Sequence, residues 1–211
     1  MEITYKTMGQ LIEEFNIIDD GGHLTLEIKH PDLNVRINDD IYKKCEQVFN
    51  PYTIIIKNKR EEKIGELTFY KSIKLSDYNI IRPSFYGHNY RCSDILNGNN
   101  HAVASFAPIS GIVESIIDAD INIENIILLY KVELHEEYRN KKLLPYIMNT
   151  VFDNFITNKS LVILEAISLS ERRRKPEYQQ KQTEKLIKYY NSIFNNVTRV
   201  DDTNFMYMIK Y

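Results

Sequence analysis

The chain has no tryptophan, two cysteines, seven glycines and six prolines among 211 residues, and its formal net charge is only -2. Each shortage removes a class of protein. Cys45 and Cys92 cannot build a disulfide framework, and their placement is not a zinc pattern. A reduced, cytoplasmic setting is the expectation. A charge this near balance gives no overall pull toward nucleic acid or an anionic membrane. No apolar run approaches the ~20 residues that a spanning helix needs. Met1 to Gln10 mixes acidic, basic and polar groups, unlike a signal peptide. The few glycines form no phosphate fingerprint; Gly21-Gly22 and Gly98 read as turn residues.

What is present is a globular balance, with 43% apolar and 27% charged residues. The length suits one domain. The abundance of Asn, Ile, Lys and Tyr fits an AT-rich genome, bacterial or phage, and carries no mechanism.

Met8, Leu11, Ile12, Phe15 and Ile18 recur at helical spacing, so a short helix is predicted to open the chain and to stop at Asp19-Asp20-Gly21-Gly22. Leu24, Leu26 and Ile28 alternate with polar residues, as do Leu33, Val35 and Ile37, which predicts two strands joined at Pro31-Asp32. A helix is predicted from Ile41 to Phe49, capped by Asn38-Asp39-Asp40. These first 50 residues form an amino-terminal set of helix and hairpin elements.

Tyr52 to Lys57 and Ile64 to Ile73 are β-rich runs around the charged turn Asn58 to Glu62, and predict a hairpin. Residues 76–122 read as a long insertion. Ser76 to Asn100 is mainly loop, and Pro108 and Gly111 interrupt any helix over Ala102 to Ile117. The most regular part comes last. A buried-type strand spans Ile126 to Leu134, followed by a helix from Lys141 to Phe155. A second strand covers Leu161 to Ile167, a helix runs from Glu177 to Phe194, and a final strand covers Phe205 to Ile209. That order indicates an α/β or α+β sheet with packed helices.

The chemistry concentrates where the strand ending at Leu134 turns into the next helix through His135-Glu136-Glu137-Tyr138-Arg139-Asn140-Lys141-Lys142-Leu143-Leu144. The first amides of a helix lack internal partners and, with the helix dipole, attract anions. Arg139, Lys141 and Lys142 add positive charge beside them. His88, Cys92 and His101 are too sparse for a metal site.

This segment resembles the phosphate turn of the GNAT acyltransferase superfamily. There a Pro-Glu-Tyr-Arg-like turn leads into Arg/Gln-x-x-Gly-x-Gly/Ala and a helix. Arg139 matches the leading Arg/Gln; Lys142 and Leu144 stand where the family has glycine or a small residue, and Asn140 holds a further position that is often glycine. Leu186 to Phe194 resembles the family's late helix and puts Tyr190 at its frequent general acid. The resemblance covers about the last 85 to 90 residues. It implies a GNAT-like fold over 1–211, a mixed, mostly antiparallel twisted sheet flanked by helices, with 125–211 as the acyl-CoA-binding half.

By the same resemblance, the strand ending at Leu134 bulges and splays from its neighbour, and its backbone at Val132, Glu133 and Leu134 holds the pantetheine arm. The amides of Asn140, Lys141, Lys142, Leu143 and Leu144 hold the pyrophosphate, with the charge of Arg139 beside them. The implied reaction moves an acetyl group from acetyl-CoA to a primary amine of a small molecule or protein. Tyr190 protonates the departing sulfur. The candidate bases are Glu133 and Glu165, which sit on these two strands and match no fixed family position. The rival expectation is a non-catalytic module whose cleft is filled by Lys142 and Leu144, and which binds a partner protein through Ser76 to Asn100. A third is nucleic-acid binding through the basic run Arg172 to Lys175. The oligomeric state stays open, a homodimer among the options.

Overall fold

The computed structural model describes residues 3–7, 10–19, 22–31, 49–72, 101–119, 122–139, 143–156, 159–167, 176–194 and 196–210. These form a mixed α/β structure around one mostly antiparallel sheet. Among the described residues its strands are β1 (Ile3–Thr7), β2 (Gln10–Asp19), β3 (Gly22–Pro31), β4 (Phe49–Asn58), β5 (Lys63–Ser72), β6 (Asn125–Leu134), β7 (Ser160–Glu165), β8 (Thr198–Arg199) and β9 (Phe205–Lys210). They lie in the order β1-β2-β3-β4-β5-β6-β7-β9-β8. The helices are α1 (Ser110–Ala119), α2 (Leu143–Phe155) and α3 (Pro176–Ile193), with a single helical turn at His101–Ala104 and 3-10 turns at Ala107–Ile109 and Glu136–Tyr138.

The first predicted helix is corrected. Residues Gln10 to Asp19 are a strand, paired with β1 on one edge and with β3 on the other. Helical spacing and strand pairing compete for Leu11, Ile12, Phe15 and Ile18, and ladder bonds to two neighbours outweigh a weak local preference. The Asp-Gly signal therefore ends a strand. Phe49, predicted as the end of a helix, opens β4 instead. The rest of that helix and the strand through Leu33, Val35 and Ile37 fall outside the described residues, as does the predicted loop from Ser76 to Asn100. The predicted hairpin forms over the described residues, with β4 and β5 paired from Phe49↔Ser72 to Lys57↔Lys63; Ile73 lies outside them. Over 102–117 the helix is broken, as Pro108 predicts, by the 3-10 turn that contains it.

Alternation along the central strands divides the core into two. On one face Ile127, Leu129, Val162 and Leu164 join Leu143, Leu144, Ile147, Met148, Val151 and Phe152 of α2 and Ile187 of α3. On the other, Ile126, Leu128, Leu161 and Ile163 join Phe106, Ile109, Val113 and Ile117. The unbroken apolar run of β6 and β7 reflects this burial on both faces. The α2 side, which carries the predicted helical stripe, is the apolar face; the other is the α1 face.

Gly65 holds the end of β6 close. It pairs with Leu134, and a Cβ added there would lie 2.5 Å from the Glu133 carbonyl oxygen and 2.6 Å from Leu134 Cδ2. Gly65→Ala therefore forces backbone apart, where no rotamer change gives relief. Thermal denaturation is expected to show a loss of ~1–3 kcal/mol, the usual cost of overpacking.

Candidate functional site

β6 is parallel to β7, and the two are paired only from Asn125↔Ser160 to Leu129↔Leu164. Beyond that point they part. β6 continues beside β5 to Gly65↔Leu134, while β7 continues beside β9 to Glu165↔Phe205. The cause is visible in the register. Leu129 opposes Phe69 and Lys131 opposes Thr68, so Tyr130 is an extra residue, a β-bulge. A bulge bends its strand and increases local twist, which carries the end of β6 away from β7. Past the bulge, alternate backbone groups of β6 face β5 and the others face the gap.

The gap is a cleft of about 520 Å³. It is lined from both faces of the sheet. Val132, Leu134, Leu164, Leu186 and Tyr190 line it and belong to, or pack against, the apolar-face core. Tyr130, Lys131, Glu133 and Glu165 also line it. Tyr130 packs with the α1-face core, and the alternation about Val132 and Leu164 puts the other three on that side. One end of the cleft is thus aliphatic with a phenol, and the other is ionic.

The ionic end is a chain of pairs across β5 and β6. Lys131 Nζ lies 3.0 Å from Glu133 Oε2 and 3.3 Å from Glu66 Oε1, and Lys63 Nζ lies 2.6 Å from Glu66 Oε2. The hydrogen bond to Glu133, then that to Glu66, holds the Lys131 ammonium above its ordinary pKa against partial burial. Lys63 first, then Lys131, holds the Glu66 carboxyl below the usual carboxylate range. Glu133 itself is more than half exposed, at 55%.

Tyr190 stands on the last turns of α3, its ring parallel to that of Phe194 with centroids 6.0 Å apart. Phe194 stacks in turn on Phe152 of α2 at 5.1 Å. This stack fixes the phenol against the cleft wall. Burial, with a smaller contribution from neighbouring Tyr189, pushes the Tyr190 phenol up to about 12. It is therefore neutral, and a hydrogen-bond donor, throughout the physiological range.

At the rim the chain leaves β6 through His135, whose amide donates to the Ile64 carbonyl at 2.8 Å. The turn Glu136–Tyr138 follows. Tyr138 packs against the apolar-face core and accepts a hydrogen bond from Asn58 Nδ2 at 3.2 Å. Arg139 lines the cleft, and its Nε donates to the Leu134 carbonyl at 2.9 Å. The guanidinium is thereby anchored at the end of the splayed strand.

Of the residues singled out from sequence, Val132, Glu133, Leu134, Arg139 and Tyr190 meet around this one cleft, together with Glu165. Leu143 and Leu144 are core residues of α2, so the leucine at the family's second small position turns inward instead of standing in front of the helix end. Asn140, Lys141 and Lys142 lie outside the described residues, as do Arg172 to Lys175, Cys45, His88 and Cys92. Among the described residues no group of three or more His, Cys, Asp or Glu is placed to hold a metal ion, and no helix is long and apolar enough to cross a membrane. Sequence reasoning missed Tyr130, Lys131 and Leu186. The available signal was the switch from four apolar residues, Ile126 to Leu129, to Tyr-Lys inside one strand, where period-two alternation fails. No family model, no curated protein and no solved structure matches the chain.

Proposed function

We propose that the protein is a GNAT-like N-acyltransferase that moves an acetyl group from acetyl-CoA to a primary amine of a small molecule or protein. The observation that carries this reading is the fork. Two parallel strands part after Leu129 and Leu164 at a bulge, and the half-buried Tyr190 phenol stands in the opening. An unpaired strand edge of that kind accepts an extended chain by adding it as a further strand. The amides and carbonyls of pantetheine match this requirement. The pyrophosphate would meet Arg139 and the amino end of α2, where free amides and the helix dipole favour negative charge.

Direct attack of the amine on the thioester then needs the two reactants held together and the leaving sulfur stabilised. Tyr190 serves the second need. A phenol near 12 lies well above an ordinary thiol at ~8.5. It therefore stabilises the developing thiolate by a preorganised hydrogen bond, ahead of any full proton transfer.

Acetyl-CoA is the first test. A ligand bound only by the folded state stabilises it by ~2.7 kcal/mol at a hundredfold excess over Kd. For a chain of this length that corresponds to a rise in melting temperature of about 5–10 °C. A thermal-shift titration with acetyl-CoA and with CoA up to millimolar concentration is expected to show it. A flat titration would turn the reading toward its rival, a non-catalytic binding module on the same scaffold. The feature favouring that rival is the lysine at position 142, where the resemblance has glycine.

A further inference from the structure

We infer that the outward face of α3 is a binding surface for single-stranded nucleic acid, separate from the cleft. The inward face of this helix is fully engaged. Thr183 and Ile187 are buried, and Leu186, Tyr190 and Ile193 pack against the apolar-face core. On the other side Tyr178, Lys181, Lys185 and Lys188 follow one another at spacings of three and four. At 3.6 residues per turn that spacing makes one stripe. Tyr189, four residues from Lys185, lies on it too, and all five side chains are exposed.

Two features set this stripe apart from an ordinary solvated face. The first is charge. Three lysines stand in a row on a chain whose net charge is -2. The acid among them, Glu184, is already engaged, because Arg199 Nη1 lies 3.0 Å from its Oε1. Arg199 is held in turn by the hydrogen bond from its Nε to the Thr203 carbonyl at 2.9 Å. The row therefore presents a local positive field that Glu184 does not cancel.

The second feature is shape, with rings beside it. A groove of about 530 Å³ follows the helix and is lined by Gln180, Lys181, Glu184, Lys185 and Lys188. Tyr178 and Tyr189 stand at either end of the lysine row, 40% and 39% exposed. Among the described residues they are two of the four large hydrophobic side chains left exposed. Lysines alone would take any polyanion. Lysines with a ring at each end match a single strand, whose phosphates follow the cations while its unpaired bases stack on the rings. A duplex keeps its bases stacked on one another and offers the rings nothing. An anionic membrane would call for an apolar helix face as well, and that of α3 is buried in the core. The surface needs neither acetyl-CoA nor an amine, so it stands apart from the transferase reading.

Fluorescence anisotropy of the full chain with a labelled single strand of about 12 nucleotides, within the usual site size, tests this. Affinity is expected to fall with salt at a log–log slope of about -2, the counterion release of three phosphate contacts. The triple variant Lys181→Gln, Lys185→Gln, Lys188→Gln should bind about tenfold more weakly or worse at low salt and lose most of that slope. Its melting temperature should match that of the unaltered chain, so that the loss is one of contact and not of folding. Tyr189→Leu, which keeps bulk but no ring, should weaken binding about tenfold at every salt concentration and leave the slope alone, and Tyr189→Phe should restore it. Arg172 to Lys175, which precede α3 in the chain, stay unaltered throughout, so the readout belongs to the stripe. No binding at low salt, an unchanged slope in the triple variant, or a duplex of the same sequence bound as tightly would each overturn the inference. So would equal affinity for polyglutamate together with indifference to Tyr189→Leu, which would assign the stripe to an acidic protein instead.

Discussion

Tyr190→Phe is expected to lower turnover with acetyl-CoA by about 10²–10³-fold, the typical loss when one preorganised donor to a developing negative charge is removed. The change deletes one oxygen and leaves the ring stack on Phe194 and Phe152 in place. Acetyl-CoA affinity, read from the melting shift, should therefore move little, since the hydroxyl matters most once the sulfur carries charge. Steady-state kinetics with any accepted amine check this, and a variant with unchanged turnover would remove Tyr190 from the reaction. A second readout does not depend on activity. The Tyr190 phenol is raised to about 12 in the folded protein, against ~10 in an unfolded chain. Its contribution to stability is complete below pH 10 and is lost as pH rises from 10 toward 12, because only the unfolded chain ionises in that window. Tyr190→Phe should flatten the alkaline fall in stability there, as urea melts at stepped pH would record.

Phe69→Ala is expected to be the most damaging single truncation of the sheet. Phe69 is 1% exposed and stacks on Tyr52 with ring centroids 4.8 Å apart and planes 6° from parallel. It also opposes Leu129, the residue immediately before the bulge. Removal of a buried phenyl ring costs ~3–5 kcal/mol. For a chain of this size, that lowers the melting temperature by on the order of ten degrees. Phe69→Leu, which keeps most of the volume, should cost under ~1.5 kcal/mol. Calorimetric melting of the two variants checks the order. A loss equal in both would mean that ring stacking, and not filled volume, sets the stability at this position.

The carboxyl-terminal half was legible because its signals are local. The α2 stripe from Leu143 to Phe152 and the continuous apolar runs of β6 and β7 each report burial through their own spacing. The amino-terminal strand β2 was not legible. Its apolar residues satisfy a helical spacing, and only the pairing with β1 and β3 decides otherwise. Tyr190 and Arg139 were found by resemblance to a family pattern. The fork itself has no local signal, because the last pair, Leu129 with Leu164, joins residues 35 apart in the chain.

Among the described strands, β6 and β7 make the one parallel joint; every other neighbouring pair is antiparallel. The molecule is in this sense two antiparallel blocks spliced by five residue pairs, in the pairing geometry that is slightly the weaker per residue. Any extended molecule laid along the open seam would lengthen the splice and stiffen the two blocks against each other. Occupancy of the cleft and rigidity of the whole sheet are therefore one mechanical variable.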